Sequence, residues 1–98
     1  MSRPCRSRRI RCKPDTNYFK PRGIPLDTLE EVNLGLDELE AIRLADFNGL
    51  YQEAAAKKMD ISRQTFGNII NSAHKKIADV LLNAKALKIE GGKVRKAD

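Results

Sequence analysis

Arg63, Gln64, Asn68 and Asn71 carry side chains that can make paired hydrogen bonds to base edges. A guanidinium matches guanine in this way and a carboxamide matches adenine. All four fall in the stretch RQTFGNIIN, interleaved with Phe66, Ile69 and Ile70. That interleaving suits a helix with an apolar face turned inward and a polar face offered to the major groove. Ser62, Thr65, Lys57, Lys58, Lys75 and Lys76 surround the four and have the chemistry to hold phosphates. Phosphate contacts supply affinity and register, whereas base contacts supply specificity.

Two short helices and a tight turn are needed to present these residues. The Ala-rich run from Gln52 through Lys58 reads as the first helix, Met59-Asp60-Ile61 as the turn and Ser62 as the N-cap of the second. Small Ala55 and Ala56 let the two helices cross steeply, with Met59 and Ile61 packing on Phe66, Ile69 and Ile70. Asp60 stands where such turns often have Gly; Asp tolerates the left-handed conformation better than most residues. The second helix continues as one stripe through Ala73, Ile77, Val80 and Leu81 to about Asn83. Its far end, Ile77 to Leu82, is expected to pack on the N-terminal half or on a second copy. Gly67 weakens the first turns, and its missing side chain leaves room for a DNA backbone. His74 reads as a surface residue.

A supporting helix precedes the pair. In Asp37 to Asp46, DELEAIRLAD, Asp37 is the expected N-cap with Glu40 three residues on. Glu38 and Glu40 suit the positive end of the helix dipole. Leu39, Ile42, Leu44 and Ala45 make the apolar face, and Asn48-Gly49 closes the helix.

The flanks read as short β segments and irregular chain. Arg9-Ile10-Arg11-Cys12 alternates like a strand. Val32, Leu34 and Leu36 do the same, and Leu87 and Ile89 share one face of a strand over Ala86 to Gly92. That last strand could pair with the Ile10 or the Val32 segment. Tyr18 and Phe19 are expected to anchor the Pro-rich connector on the core. The resulting organisation is a basic arm and connector over 1–25, a DNA-binding domain over 26–92 and a disordered tail over 93–98. The fold class is mainly α: a three-helix helix-turn-helix unit with a long last helix and short flanking β segments.

Charge is distributed unevenly along the 98 residues. The net is +7 over residues 1–22, −6 over 23–61 and +5 over 62–98. Clustered positive charge is the footprint of a phosphate-backbone binder. Arg3, Arg6, Arg8, Arg9 and Arg11 of the N-terminal arm are candidates for the minor groove beside a helix docked in the major groove. Trp is absent and aromatics are few, so stacking platforms for single strands are lacking. No apolar run approaches the roughly 20 residues of a membrane span, and the basic N-terminus has no apolar stretch behind it. Cys5 and Cys12 are separated by six intervening residues with the one His far away, so free thiols in a reducing cytosol fit better than a four-ligand zinc site. With one His, no Gly-rich phosphate loop and no nucleophile beside a base, the chain reads as a non-enzyme without metal or cofactor.

LDELEAIRLADFNGLYQEAAAKKMDISRQTFGNIINSAHKKIA, residues 36–78, resembles region 4 of bacterial sigma factors. With YFKPRGIPL and KALKIEGG, the whole chain resembles a small uncharacterised prokaryotic family of predicted DNA-binding proteins. The resemblance implies a sigma-region-4-like helix-turn-helix, with a recognition helix starting at Ser62, Arg63, Gln64 and Thr65 and continuing through Asn68 and Asn71. No other sigma region is visible, so a working sigma factor is not expected. The expected function is sequence-specific binding of double-stranded DNA in transcription, in the cytoplasm. A second copy is a candidate partner; a symmetric dimer would read inverted half-sites about one helical turn apart. The alternatives are a module that binds a protein of the transcription machinery, for which the acidic middle offers a surface, and RNA binding through the basic ends.

Overall fold

The computed structural model describes residues 7–12 and 17–96. Among these, helix predominates. Helix α1 spans Leu36–Ile42 and widens into a π-helical turn over Arg43–Phe47; α2 spans Gln52–Met59 and α3 spans Arg63–Asn83. The strands are short: β1 Arg8–Ile10, β2 Tyr18–Phe19, β3 Glu31–Leu34, β4 Ala86–Ile89 and β5 Val94–Lys96.

Each helix end has a local cause. Ser62 caps α3, its hydroxyl oxygen accepting from Thr65 N–H at 3.1 Å. Asp60 ends α2 in the left-handed conformation, at φ 59°. Its N–H donates to Lys57 O and the next, Ile61 N–H, to Ala56 O, both at 3.1 Å. These two bonds satisfy carbonyls that the helix end would leave orphaned. The start of α1 differs from the expected Asp37/Glu40 pair. Gly35 is the N-cap, and Glu38 reaches back to accept from Gly35 N–H at 2.8 Å. Asp37 instead accepts from Glu38 N–H at 2.9 Å. The helix therefore begins two residues early, and Glu40 is released for another task.

Two apolar clusters share α3. Its first half joins α1 and α2 around Ala41, Leu44, Ala55, Ala56, Met59, Phe66, Ile69 and Ile70, as the apolar spacing predicts. Phe66 is fully buried, worth about 1.5–3 kcal/mol for a side chain of this size. Ala73, Ile77 and Val80 lie on the second cluster with Leu34, Leu87 and Ile89. At roughly 1.5 Å per residue, only a helix as long as α3 spans both. Its far end thus packs partly on a sheet of its own chain, while Leu81 and Leu82 stay 75% and 82% exposed.

That sheet has the order β2-β4-β3. β4 runs parallel to β3, with Val32 opposite Leu87 and Leu34 opposite Ile89, and antiparallel to β2, with Tyr18 opposite Lys88. The Val32 segment is therefore the partner that β4 takes on its parallel side. The Ile10 segment pairs elsewhere: β1 runs parallel to β5, Arg9 opposite Arg95. Within the stretch expected as a disordered tail, Val94–Lys96 forms a strand, paired with part of the basic arm. A parallel pair needs a long connection, and here the rest of the domain supplies it. Phe19 is 52% exposed and does not anchor on the core as expected. Its neighbour Tyr18 is half-buried and donates to Glu31 Oε2 at 2.7 Å.

Glu38 and Glu40, both buried, join these parts. Glu38 accepts from Ser72 Oγ at 2.5 Å and Lys76 Nζ at 2.8 Å, tying α1 to α3. Glu40 accepts from Arg43 Nε at 2.7 Å, Arg43 Nη2 at 2.9 Å and the Arg11 backbone N–H at 2.8 Å, tying α1 to the chain just beyond β1. Burial alone would raise both carboxyls. For Glu38, bonds from Lys76, Ser72 and Gly35 outweigh it; for Glu40, Arg43 and Arg11 do so. Both are held below their ordinary value. Their contribution is complete above the unfolded value of about 4.3 and is lost as pH falls through the lower folded values. Urea melts should therefore lose stability as pH falls below about 4. Glu38→Ala should cost about 2–3 kcal/mol near neutrality, since bonds to a charged group are worth roughly 1.5–3 kcal/mol each and partial exposure of Lys76 discounts the sum. A variant as stable as the parent would remove Glu38 from this role.

Candidate nucleic-acid interface

At 3.6 residues per turn, Gln64, Asn68, Asn71 and Lys75 succeed one another along one side of α3. That side lies opposite buried Phe66, Ile69, Ile70 and Ala73, and all four residues are exposed. Among the described residues their side chains have no hydrogen-bond or ion-pair partner. An unengaged row of two Asn, one Gln and one Lys can donate and accept toward an external ligand without first breaking protein contacts.

The other expected residues divide. Arg63 is exposed but lies about a third of a turn to one side. On that flank an added Cβ on Gly67 would lie 3.4 Å from Gln52 Oε1. Thr65 lies on the opposite flank, half-buried, and borders a shallow hollow of about 540 Å³ with Arg8, Asn33 and Asn68. Ser62 is spent on the cap, and its hydroxyl also donates to Thr65 Oγ1 at 2.9 Å. Lys57 and Lys58 are exposed in the last turn of α2, where positive charge suits the helix dipole. Lys75 and Lys76 part company: Lys75 faces outward, while Lys76 is bound to Glu38 at the α1–α3 seam. His74 lies beside Asp46, Nε2 to Oδ2 at 2.6 Å.

The arm residues are likewise uneven. Arg3 and Arg6 lie outside the described residues. Arg8 is mostly buried beside Asp37, at 3.9 Å. Arg9 donates from Nε to Lys58 O at 3.0 Å and from Nη2 to Lys57 O at 3.4 Å, so it closes the C-terminal end of α2. Arg11 presents an exposed side chain. Cys12 is half-buried beside Glu40. Burial, reinforced by the Glu40 carboxylate, pushes its thiol up to about 11. Among the described residues no three His, Cys, Asp or Glu side chains gather as a metal site would need; Cys5 lies outside them. Gln52 opens α2 where the helix is expected to start, and its side chain is exposed. Its place beside Gly67 follows from the way α2 crosses α3.

The family described as "Protein of unknown function DUF134" matches residues 1–97. The chain belongs to this family. A relative in Prosthecochloris aestuarii, a UPF0251 protein, is 53% identical over 96 residues, covering 98% of this chain and 62% of its own length. The UPF0251 protein Teth39_0655 of Thermoanaerobacter pseudethanolicus is 51% identical over 98 residues, covering all of this chain and 83% of its own length. The UPF0251 protein TTE1845 of Caldanaerobacter subterraneus is 56% identical over 92 residues, covering 94% and 78%. The chain thus spans under two thirds of the Prosthecochloris family member. No solved structure matches. Among the described residues no helix is long and apolar enough to cross a membrane.

The different surroundings of the two adjacent lysines make a clear expectation. Lys76→Met should lower stability in urea melts by about 1–2 kcal/mol by stranding Glu38, whereas Lys75→Met should stay within about 0.5 kcal/mol of the parent. Equal effects would show that the Glu38–Lys76 bond contributes nothing in solution.

Proposed function

We propose that this chain is a sequence-specific binder of double-stranded DNA that acts in transcription in the cytoplasm. In this reading α2 and α3 form a helix-turn-helix resembling sigma region 4. The observation that carries the proposal is the outward row of Gln64, Asn68, Asn71 and Lys75 on a helix whose inner face is fixed by core packing. Gln64, Asn68 and Asn71 read base edges, with Arg63 reaching from the flank. Lys75 and Lys57 hold phosphates, whereas Lys58 lines a separate basic hollow beside Arg9. Lys76 and Ser62 shape the site rather than grip the ligand, because both are engaged within the protein.

A second reading, a module for a protein of the transcription machinery, draws on exposed Leu81 and Leu82 at the far end of α3. Selection from random duplexes separates the two. DNA reading predicts an enriched sequence bound far more tightly than its scramble across salt concentrations. Gln64→Ala should then cost about 1–3 kcal/mol on the selected site and relax specificity there. No enrichment would favour the protein-partner reading.

Gly67 offers an independent check. A methyl group would fit the fold, since its Cβ would meet Gln52 Oε1 at an ordinary 3.4 Å. Gly67→Ala should raise stability by about 1 kcal/mol through helix propensity. If the bare position lets a DNA backbone approach, the same substitution should weaken duplex binding in fluorescence anisotropy. Unchanged or tighter binding would place Gly67 outside the interface.

A further inference from the structure

On another face, Arg9, Arg11, Arg43, Lys58, Arg95 and Lys96 line a hollow of about 390 Å³ with the single carboxylate of Glu40. The residues come from β1, the chain just past it, the π turn after α1, the end of α2, and β5. We infer that this hollow is a binding site for linked phosphate groups, as carried by pyrophosphate or a triphosphate chain. The inference is separate from the α3 reading face and does not depend on it.

Charge is the first argument. Glu40 is committed to Arg43 and to the Arg11 backbone N–H. Arg95 donates from Nη2 to Asp60 Oδ2 at 2.7 Å. Among the described residues, Arg9, Arg11, Lys58 and Lys96 have no carboxylate within ion-pair distance. Four such cations around one hollow repel one another, and a multiply charged anion relieves that repulsion while gaining charge-assisted hydrogen bonds.

Preorganisation is the second. Arg43 is held by Glu40, Arg95 by Asp60 and by Ser7 Oγ at 3.3 Å, and Arg9 by the last carbonyls of α2. Arg9 thereby covers the negative end of α2, which would otherwise oppose an anion. Three guanidiniums are thus fixed before any ligand arrives, and less side-chain entropy is lost on binding.

The lining also selects among phosphorylated ligands. Among the described residues it has no aromatic or apolar side chain, so a base would find no aromatic surface to stack on. The phosphate chain itself is the recognised group. A soluble polyphosphate and neighbouring phosphates of a nucleic-acid backbone both present it, and competition distinguishes them.

The test is isothermal titration of the full chain with sodium pyrophosphate near physiological salt, without DNA. The expected result is saturable binding of one pyrophosphate per chain. Lys58→Ala with Lys96→Ala should weaken it about tenfold or more, and Arg11→Met should act in the same direction while leaving the Arg11 backbone bond to Glu40 in place. Lys20→Ala with Lys88→Ala removes equal charge from the region of the three-stranded sheet and should change affinity by less than about twofold at this ionic strength. Unsaturable binding, or equal losses in the two double variants, would overturn the inference. Simultaneous binding of pyrophosphate and a short duplex would assign the hollow to a soluble phosphate. Mutual exclusion, with Lys58→Ala/Lys96→Ala also weakening the duplex, would assign it to backbone phosphates. If no duplex binds specifically, the α3 proposal fails and the pyrophosphate result still stands on its own.

Discussion

Glu38 and Glu40 leave α1 two residues apart, which on a helix means nearly opposite sides. One carboxylate points to α3 and the other to the basic segment beyond β1. Burying a carboxylate is expensive unless its oxygens are occupied. Here that cost becomes a set of positional demands. Ser72, Lys76 and the Gly35 N–H must meet Glu38, and Arg43 and the Arg11 N–H must meet Glu40. Any rearrangement of α3 or of the N-terminal segment would strand a buried charge. α1 is therefore more than the support of a helical pair; it sets where both of its neighbours lie.

The long α3 depends on this arrangement and also extends it. Its first half belongs to the three-helix core and its second half to the three-stranded sheet. Both clusters draw on one apolar stripe, so the outward row from Gln64 to Lys75 has little freedom to rotate. A rigid row suits recognition, because groups held by a packed helix lose little entropy when a ligand orders them. The two exposed leucines at the far end of the helix lie beyond both clusters.

The basic residues show how little a charge count says about a site. Lys76, Arg8 and Arg43 serve the fold through Glu38, Asp37 and Glu40, and Arg9 serves it by closing α2. Lys75 is next to Lys76 in sequence yet faces solvent. The cations around Glu40 come from segments far apart in sequence, so no stretch of the chain announces them.

The sequence by itself determined the helices and the inward face of the pair. The spacing of Ala55, Ala56, Met59, Phe66, Ile69 and Ile70 encodes helical periodicity and burial, and Ser62 and Asp60 mark boundaries through local backbone bonding. It also contained the outward row, since positions opposite an apolar stripe follow from the same period. Tertiary structure decided the rest. Pairing between β1 and β5 joins opposite ends of the chain, and a three-residue strand carries no local signal of its partner. The true cap of α1 depended on Glu38 being drawn to Ser72 and Lys76, which are distant in sequence. Which cations remain available to a ligand was settled in the same way, because a lysine or arginine is withdrawn only when folding brings a carboxylate or carbonyl within reach.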